Sequence, residues 1–537
     1  MKNLIYILFT AILFSNTLKG QSFSSSNLPI IIINTNGNNI EDDPKVAVDF
    51  GIIDNGTGQI NNINDPLNGY NGFCGIEFRG NSTQGFDKKN YSIELWTAND
   101  LDTSASLLGL PSEEDWILHA SHVDKTFIRN TLSYNIWRKI GYWSSNTKYC
   151  ELVLDGDYRG VYILMEKNKR DNNRVDIAKL DADDNAGDSL TGGYIIRLDW
   201  PEGDGFYSNH NSQDGPPLYY QYYYPKANNI TNQQKAYIQS YLNNFENALF
   251  SGNFQDLSTH YLNHIDITTF ADIFIINELS RSVDAYKLST YIYKDKINNG
   301  GKLKAGPIWD FDLAYDNAEY CGGENENGWT YLQAENTCDD LSLMPMWWQE
   351  FMSDPIFTNH LKCRWEFLKQ DILDINNLNS YIDSITSLID NAQTRNFQRW
   401  PVLGVDLFAQ PSPIPTTYNQ EINIFKAWLV DRINWIDNNI PGNCNADVVS
   451  NQEISINKTA LNIFPNPSKY QIFIETSTDN LIKNIEIYDL TGKLTLKKVN
   501  LNKSLIEISL TQLKPGLYQV FGTTKSGVFN SKIVIEQ

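Results

Sequence analysis

Three aspartates in the middle of the chain have the types and spacing of groups that hold a metal ion. Asp310 and Asp312 end the run Gly306–Asp312, which reads Gly-Pro-Ile-Trp-Asp-Phe-Asp, and Asp284 precedes them. Alternate residues of a β-strand share a face, so the sequence predicts that Asp310 and Asp312 point the same way. Two such carboxylates repel each other unless a proton or a cation intervenes, and magnesium prefers oxygen ligands. With Asp284 orienting or deprotonating a hydroxyl, this set would suffice for phosphoryl transfer.

Other interpretations of these carboxylates stay open at this point. A single Asp of an acidic chain commonly caps a turn or pairs with Lys. Two carboxylates can also hydrolyse a glycosidic bond, but they must face each other across a sugar-sized gap. Asp310 and Asp312 on one strand face would be too close for this, and they would have to recruit Asp284 or Glu166.

Composition predicts a folded, exported chain of more than one domain. The chain has 537 residues, of which 41% are hydrophobic and 12% aromatic, which excludes wholesale disorder. The formal net charge of −21 would repel polyanions, so nucleic acid is not an expected partner. Residues 1–20 have the charged start and short apolar run of a secretory signal peptide. No later segment has the length and hydropathy of a transmembrane helix, so the mature chain is expected to have none.

Cysteine usage fits an oxidising compartment. The chain has six cysteines, and Cys321 and Cys338 flank one loop rich in Gly, Asn and Glu, so we expect these two to pair. The connectivity of the others is left open. No C-x-x-C spacing occurs, which argues against a structural zinc site.

The order of apolar patterns predicts an α+β domain followed by a smaller all-β module. Residues 21–440 have predicted strands in the first half and predicted helices in the second, as in an enzyme with two lobes. Residues 441–458 are rich in Asn and Ser and read as a linker. Residues 459–537 contain short strands separated by turns, and nine Lys against six acidic residues set them apart from the acidic domain before them. They predict a small β-sandwich.

This C-terminal module resembles the sorting domain of Bacteroidetes proteins exported by the type IX secretion system. The resemblance rests on the Phe-Pro-Asn-Pro opening at 464–467, Ile-Tyr-Asp-Leu-Thr-Gly at 487–492 and Leu-Lys-Pro-Gly-Leu-Tyr at 513–518. It covers residues 459–537 and implies passage through the periplasm and the outer membrane to the cell surface or the medium. The type IX machinery is therefore an expected partner.

A glycine-bearing loop precedes two lysines at the start of a predicted strand. The segment reads Arg-Gly-Asn-Ser at 79–82 and continues to Lys88 and Lys89 before Tyr91. A lysine in such a strand could neutralise phosphate oxygens. Basic residues at strand starts are more commonly just solvated, so the motif is weak by itself.

Two further segments contain polar residues within or beside apolar strands. Glu166 ends an apolar strand that follows an Asp-Gly hairpin turn at 155–156, where it could pair with Lys, touch a metal or bond the next loop. His119 and His122 have no third metal ligand spaced nearby, and this favours a structural role for both.

Together these segments resemble the CotH family, the spore-coat type of secreted atypical protein kinase. The matching segments are Arg79–Ser82, Lys88–Tyr91, Asp124–Asn130, Gly160–Glu166, Gly192–Tyr194 and Trp309–Asp312. The resemblance spans roughly residues 30–440. It implies a two-lobed, atypical protein-kinase-like domain that uses ATP with Mg²⁺ or Mn²⁺ to phosphorylate Ser or Thr of proteins outside the cytoplasm.

The resemblance also assigns roles to residues of this chain. Asp284 lies where the family has its catalytic Asp, and Asp310, supported by Asp312, lies where it has a metal-binding Asp. The implied nucleotide-binding residues are Arg79, Lys88, Lys89, Glu166 and Trp309, the last of these as a stacking face for adenine.

One residue departs from the family pattern. Family members often have Asn five residues after the catalytic Asp, and this chain has Ser289 there. A Ser hydroxyl can still bind magnesium, as a shorter and neutral ligand. The alternative is therefore a catalytically weak or inactive member that serves as a surface adhesin or glycan-binding protein.

Overall fold

The computed structural model describes residues 23–213, 215–332, 338, 343–444, 462–476, 481–489, 494–499, 501–524 and 528–536. The predicted signal peptide and most of the predicted linker lie outside these residues. Contacts divide the chain into two compact units, 1–442 and 443–537. No helix in the described ranges has the length and apolar character needed to cross a membrane.

The first part of the large unit is a closed β-barrel. The seven barrel strands are β2 (Ile30–Asn34), β3 (Val46–Ile53), β5 (Tyr70–Arg79), β6 (Asn90–Trp96), β7 (Asp115–His119), β8 (Thr147–Leu154) and β9 (Asp157–Glu166). Two short strands, β1 (Ser25–Ser26) and β4 (Asn61–Asn62), form a separate two-stranded sheet. The barrel order is β2-β3-β5-β6-β7-β9-β8, and the parallel pairing of β2 with β8 closes it. Alternating apolar residues fill the interior.

The β8–β9 hairpin confirms the predicted Asp-Gly turn. Asp155 and Gly156 both have positive φ, at 51° and 76°, and this matches the twist of a two-residue hairpin. The free thiols of Cys74 and Cys150 lie buried in the barrel interior, and burial raises the pKa of both.

Within the described residues, the large unit also contains a second sheet and seven α-helices. The strands are β10 (Tyr194–Leu198), β11 (Gly205–Asn211), β12 (Pro217–Tyr224), β13 (Thr290–Lys294) and β14 (Leu303–Ala305), in the order β11-β12-β10-β13-β14. The helices are α1 (Arg129–Ile140), α2 (Asn232–Phe250), α3 (Ile267–Ser280), α4 (Trp347–Ser353), α5 (Pro355–Lys369), α6 (Ile375–Arg399) and α7 (Tyr418–Asn439). They share the largest apolar core, which is rich in aromatic rings.

The helices differ from the sequence predictions at two places. The pattern over 346–369 predicts one helix, but the chain forms α4 and α5 because Asp354 caps the second helix and Pro355 occupies its first turn. The 25-residue helix α6 was not predicted, since its sequence is rich in Asn, Ser and Thr, which are weak helix formers. Its buried face includes Leu378, Ile382 and Ile389.

The second unit is the predicted β-sandwich. Its strands are β15 (Asn462–Phe464), β16 (Gln471–Glu475), β17 (Ile482–Asp489), β18 (Leu494–Lys498), β19 (Leu505–Ser509), β20 (Gly516–Thr524) and β21 (Val528–Ile535). They form a three-stranded sheet, β15-β16-β19, and a four-stranded sheet, β18-β17-β20-β21, which share one apolar core.

The predicted disulfide between Cys321 and Cys338 is confirmed. Cys363 and Cys444 are also in disulfide linkage.

Candidate functional site

Most of the predicted site residues line a cavity of about 680 Å³. It is lined by the end of β5, by β7, by α1, by the loop after β10 and by the segments that contain Asp284 and Asp310. The predicted residues on its wall are Arg79, Asp284, Ser289, Trp309, Asp310 and Asp312. Its volume lies in the range of small-molecule sites.

Asp310 and Asp312 both line this cavity, but the prediction that they lie on a β-strand is wrong. The strand β14 ends at Ala305, and the following residues form a loop in which Asp310 has a φ of 67°. Asn130 of α1 holds this loop in place. Its Oδ1 accepts a hydrogen bond from the Phe311 backbone N–H (2.8 Å), and its Nδ2 donates to Asp312 Oδ1 (2.7 Å). Tertiary hydrogen bonds, rather than strand alternation, therefore bring the two carboxylates to one wall.

The acidic groups of the cavity repel one another. Asp310 is exposed to the cavity, yet protein surrounds its carboxylate on the other sides. This enclosure, with repulsion from Asp312 and Asp284, raises the pKa of Asp310 to about 7. A cation in the cavity would relieve that repulsion and favour the ionised form.

His119 lies at the same wall and bonds the same carboxylate. Its Nε2 is 3.2 Å from Asp312 Oδ1. Burial lowers the pKa of His119, but the carboxylates of Asp312 and Asp310 outweigh burial and raise the pKa overall. His119 therefore lies beside the acidic pair on the cavity wall, and the structural role predicted for it stays a prediction.

Asp284 and Ser289 lie on a tight turn after α3. The helix ends at Ser280 and is capped by Arg281, whose guanidinium donates to the carbonyls of Gly322 and Gly328. The Leu288 N–H donates to the Asp284 carbonyl (3.0 Å), and Ser289 has a φ of 46°, which few non-glycine residues adopt. The turn presents both side chains to the cavity.

Trp309 and Arg79 place an aromatic ring beside a cation on the cavity wall. The Arg79 guanidinium carbon lies 5.7 Å from the centroid of the Trp309 ring, which is the geometry of a cation–π contact. Tyr134 packs on Trp309 with ring centroids 6.0 Å apart.

Three predicted nucleotide-binding residues do not line the cavity. Lys88 is buried, and its ammonium donates to the carbonyls of Ala120 and Val161 and to Asn396 Oδ1 at 2.6–2.9 Å. Burial lowers the pKa of Lys88. Lys88 therefore links the barrel to α6 in this structure.

Lys89 and Glu166 are also engaged elsewhere. The Lys89 ammonium donates to the Gln84 carbonyl (2.6 Å). Glu166 is buried at the end of β9, where its Oε2 accepts from the backbone and side chain of Asn146 (2.9 and 2.8 Å). Its other oxygen lies 3.9 Å from Arg174 Nε.

Sequence reasoning gave no role to two residues that shape the cavity. Asn130 ends the Asp124–Asn130 segment, which is one of the segments that resemble the CotH family. That resemblance was the sequence feature that could have indicated a role for Asn130. Asp199 follows β10 and adds to the negative charge around Asp310. No local pattern distinguished Asp199 from the other acidic residues of the chain.

The cavity presents carboxylate and hydroxyl oxygens, which are the ligand types that a hard divalent cation prefers. Within the described part of the chain, three acidic, His or Cys side chains converge within 4.8 Å only at Glu113, Glu114 and Asp115. Lys169 already bonds all three of those carboxylates at 2.7–3.0 Å. The described acids of the cavity do not converge this closely.

Replacing Asn130 by Asp is expected to destabilise the fold at neutral pH. The new carboxylate would face Asp312 Oδ1 at the present 2.7 Å contact and would lose the amide donor. We expect the melting temperature to fall by at least about 3 °C. Thermal unfolding of this variant should be compared with that of Asn71→Asp, which adds a charge at an exposed position of the barrel. Equal melting temperatures for the two variants would contradict the role of Asn130.

Comparison with protein-family models identifies both units. The model of the CotH kinase protein family matches residues 76–436, and the chain belongs to this family. The model of the secretion system C-terminal sorting domain matches residues 462–536. Among curated proteins, no sequence match was found. The sorting domain shows that the chain uses the type IX secretion machinery and is destined for the cell surface or the medium.

Proposed function

We propose that this exported chain is a protein kinase that transfers the γ-phosphoryl group of ATP to Ser or Thr hydroxyls of proteins outside the cytoplasm. The supporting observation is that Asp284, Asp310 and Asp312 open onto one cavity that also presents Arg79 and Trp309. In this proposal the barrel and the helical part act as the two lobes of a kinase-like domain.

Each residue of the cavity has a role in the proposed transfer. Mg²⁺ or Mn²⁺ would neutralise charge on the phosphates and polarise the transferred group. Asp310 and Asp312 would hold the metal ion, with the Ser289 hydroxyl as an additional ligand. Asp284 would orient the acceptor hydroxyl and take its proton.

The nucleotide would rest on the aromatic and basic wall. Trp309 offers a ring face for adenine, and Arg79 offers a guanidinium for phosphate oxygens. Lys89 would have to leave the Gln84 carbonyl to reach a phosphate. Lys88 and Glu166 would not contact the nucleotide, and their buried hydrogen bonds would stabilise the structure around the cavity.

Transfer of labelled phosphate tests the proposal. The purified chain would be incubated with ATP labelled at the γ-phosphate and with Mg²⁺ or Mn²⁺, and ATP turnover and incorporation into the chain would be followed. We expect metal-dependent transfer that Asp310→Asn abolishes. An absence of both turnover and incorporation would contradict the kinase proposal and favour a surface binding protein.

Replacing Ser289 by Asn, the residue that family members often have there, is expected to increase the affinity of the site for Mg²⁺. An Asn amide reaches further than a Ser hydroxyl, and Asn tolerates the left-handed backbone of this position better than most residues. We expect Ser289→Asn to lower the Mg²⁺ concentration for half-maximal turnover by about threefold to tenfold. Ser289→Ala should shift it the opposite way, and a concentration that is the same in both variants would remove Ser289 from the metal site.

A further inference from the structure

A second cavity of about 320 Å³ is lined by none of the residues assigned to the proposed kinase site. Ala305 and Pro307, which follow β14 on the way to Asp310, form part of its wall. Four aromatic residues line the cavity: Trp137, Tyr142, Trp143 and Tyr293. A volume of this size and a largely aromatic wall are typical of sites for small planar molecules.

Several hydrogen-bond donors on this wall have no partner among the described residues. The indole nitrogen of Trp143 is buried, and its N–H makes no hydrogen bond. The Tyr293 hydroxyl and the Lys304 ammonium are also without a hydrogen-bond or ion-pair partner. Tyr293 and Lys304 are direct cross-strand neighbours on β13 and β14, so their side chains share one face. An unpaired N–H of a buried ring is unusual in a folded protein.

The other polar groups of the wall described below make no hydrogen bonds to these donors. Asp295 accepts from the backbone N–H groups of Ala178 (3.0 Å) and Lys296 (2.7 Å) and from Asn299 Nδ2 (3.2 Å). The Lys302 ammonium donates to a backbone carbonyl at 2.7 Å. Asp176, the other carboxylate on the lining, is exposed to solvent. The cavity therefore presents unpaired donors against aromatic walls.

We propose that this cavity binds a small aromatic carboxylate. The ring would pack among the Trp and Tyr side chains, and the carboxylate would accept from the Lys304 ammonium and the Tyr293 hydroxyl. A carboxylate that accepts a charge-assisted hydrogen bond gains more than a neutral oxygen does. The inference is independent of the proposed kinase activity, because it uses none of the residues assigned to ATP or metal.

Calorimetric titration of the full chain with 4-hydroxybenzoate tests this proposal. The matched ligand is 4-hydroxybenzyl alcohol, which keeps the ring and removes the charge. We expect one site that binds the carboxylate at least about fivefold more tightly than the alcohol. Lys304→Met should weaken binding of the carboxylate by about tenfold, and Tyr293→Phe should weaken it to a smaller degree.

Two control variants locate the ligand. Lys139→Met removes an exposed lysine near the end of α1 and should leave the affinity unchanged. Arg79→Met removes one of the two arginines that line the larger cavity and should also leave the affinity unchanged. Binding that is absent, that shows no preference for the carboxylate, or that is lost in Arg79→Met but kept in Lys304→Met would overturn the proposal.

Discussion

Asp310→Asn is expected to lower metal-dependent phosphate transfer by at least about a thousandfold, because it removes the proposed central ligand of the metal ion. The substitution is nearly isosteric, and Asn accepts the left-handed backbone that Asp310 adopts at a φ of 67°. Loss of activity would therefore report the lost carboxylate rather than a disturbed loop. The matched control is Asp100→Asn, an exposed Asp with a φ of 56°, which should retain full activity.

The same substitution is expected to stabilise the metal-free protein at alkaline pH. The folded-state pKa of Asp310 is raised to about 7, so between pH 4 and pH 7 the folded state holds a proton that the unfolded state releases. The stability of the wild-type chain therefore falls as the pH rises through this window. At pH 8 Asp310→Asn should melt roughly 1–3 °C higher than the wild type in the presence of a chelator, and the difference should vanish near pH 4. A variant that is less stable than the wild type at pH 8 would contradict the repulsion among Asp310, Asp312 and Asp284.

Asp284→Asn is expected to lower turnover by about 10²- to 10⁴-fold while the affinity for Mg²⁺–ATP stays within about threefold. Asp284 is assigned to the acceptor hydroxyl, so its loss should affect the transfer step more than nucleotide binding. Turnover and nucleotide affinity would be measured on the same preparation.

Asp199→Asn is the control for the change in charge. Asp199 lines the same cavity and also contributes to the raised pKa of Asp310, so both variants remove one negative charge near that residue. We expect Asp199→Asn to retain turnover within about tenfold. Equal losses in the two variants would mean that the charge of the cavity, and not a specific role of Asp284, sets the rate.

The sequence predicted the composition of the site better than its geometry. Asp284, Ser289, Asp310 and Asp312 were expected together, and they line one cavity. The strand expected around Asp310 is absent, because Asn130, 180 positions earlier, fixes this loop through tertiary hydrogen bonds. Such a distant constraint leaves no trace in local periodicity.

The lysines show a second limit of sequence reasoning. Nothing in the Lys88-Lys89 pair indicates that the first ammonium is enclosed by two carbonyls and an amide, one of them from α6. Elements with strong local signals were easier to predict. The Asp-Gly hairpin and the disulfide across one short loop were both expected, and both are present.

Calorimetric titration of the purified chain with ATP, with and without Mg²⁺, tests the central claim most directly. We expect binding that requires the metal ion, that is lost in Asp310→Asn and that persists in Asp284→Asn. Binding that is absent in the wild type, or that is unchanged by both the metal ion and Asp310→Asn, would contradict a nucleotide site in the acidic cavity.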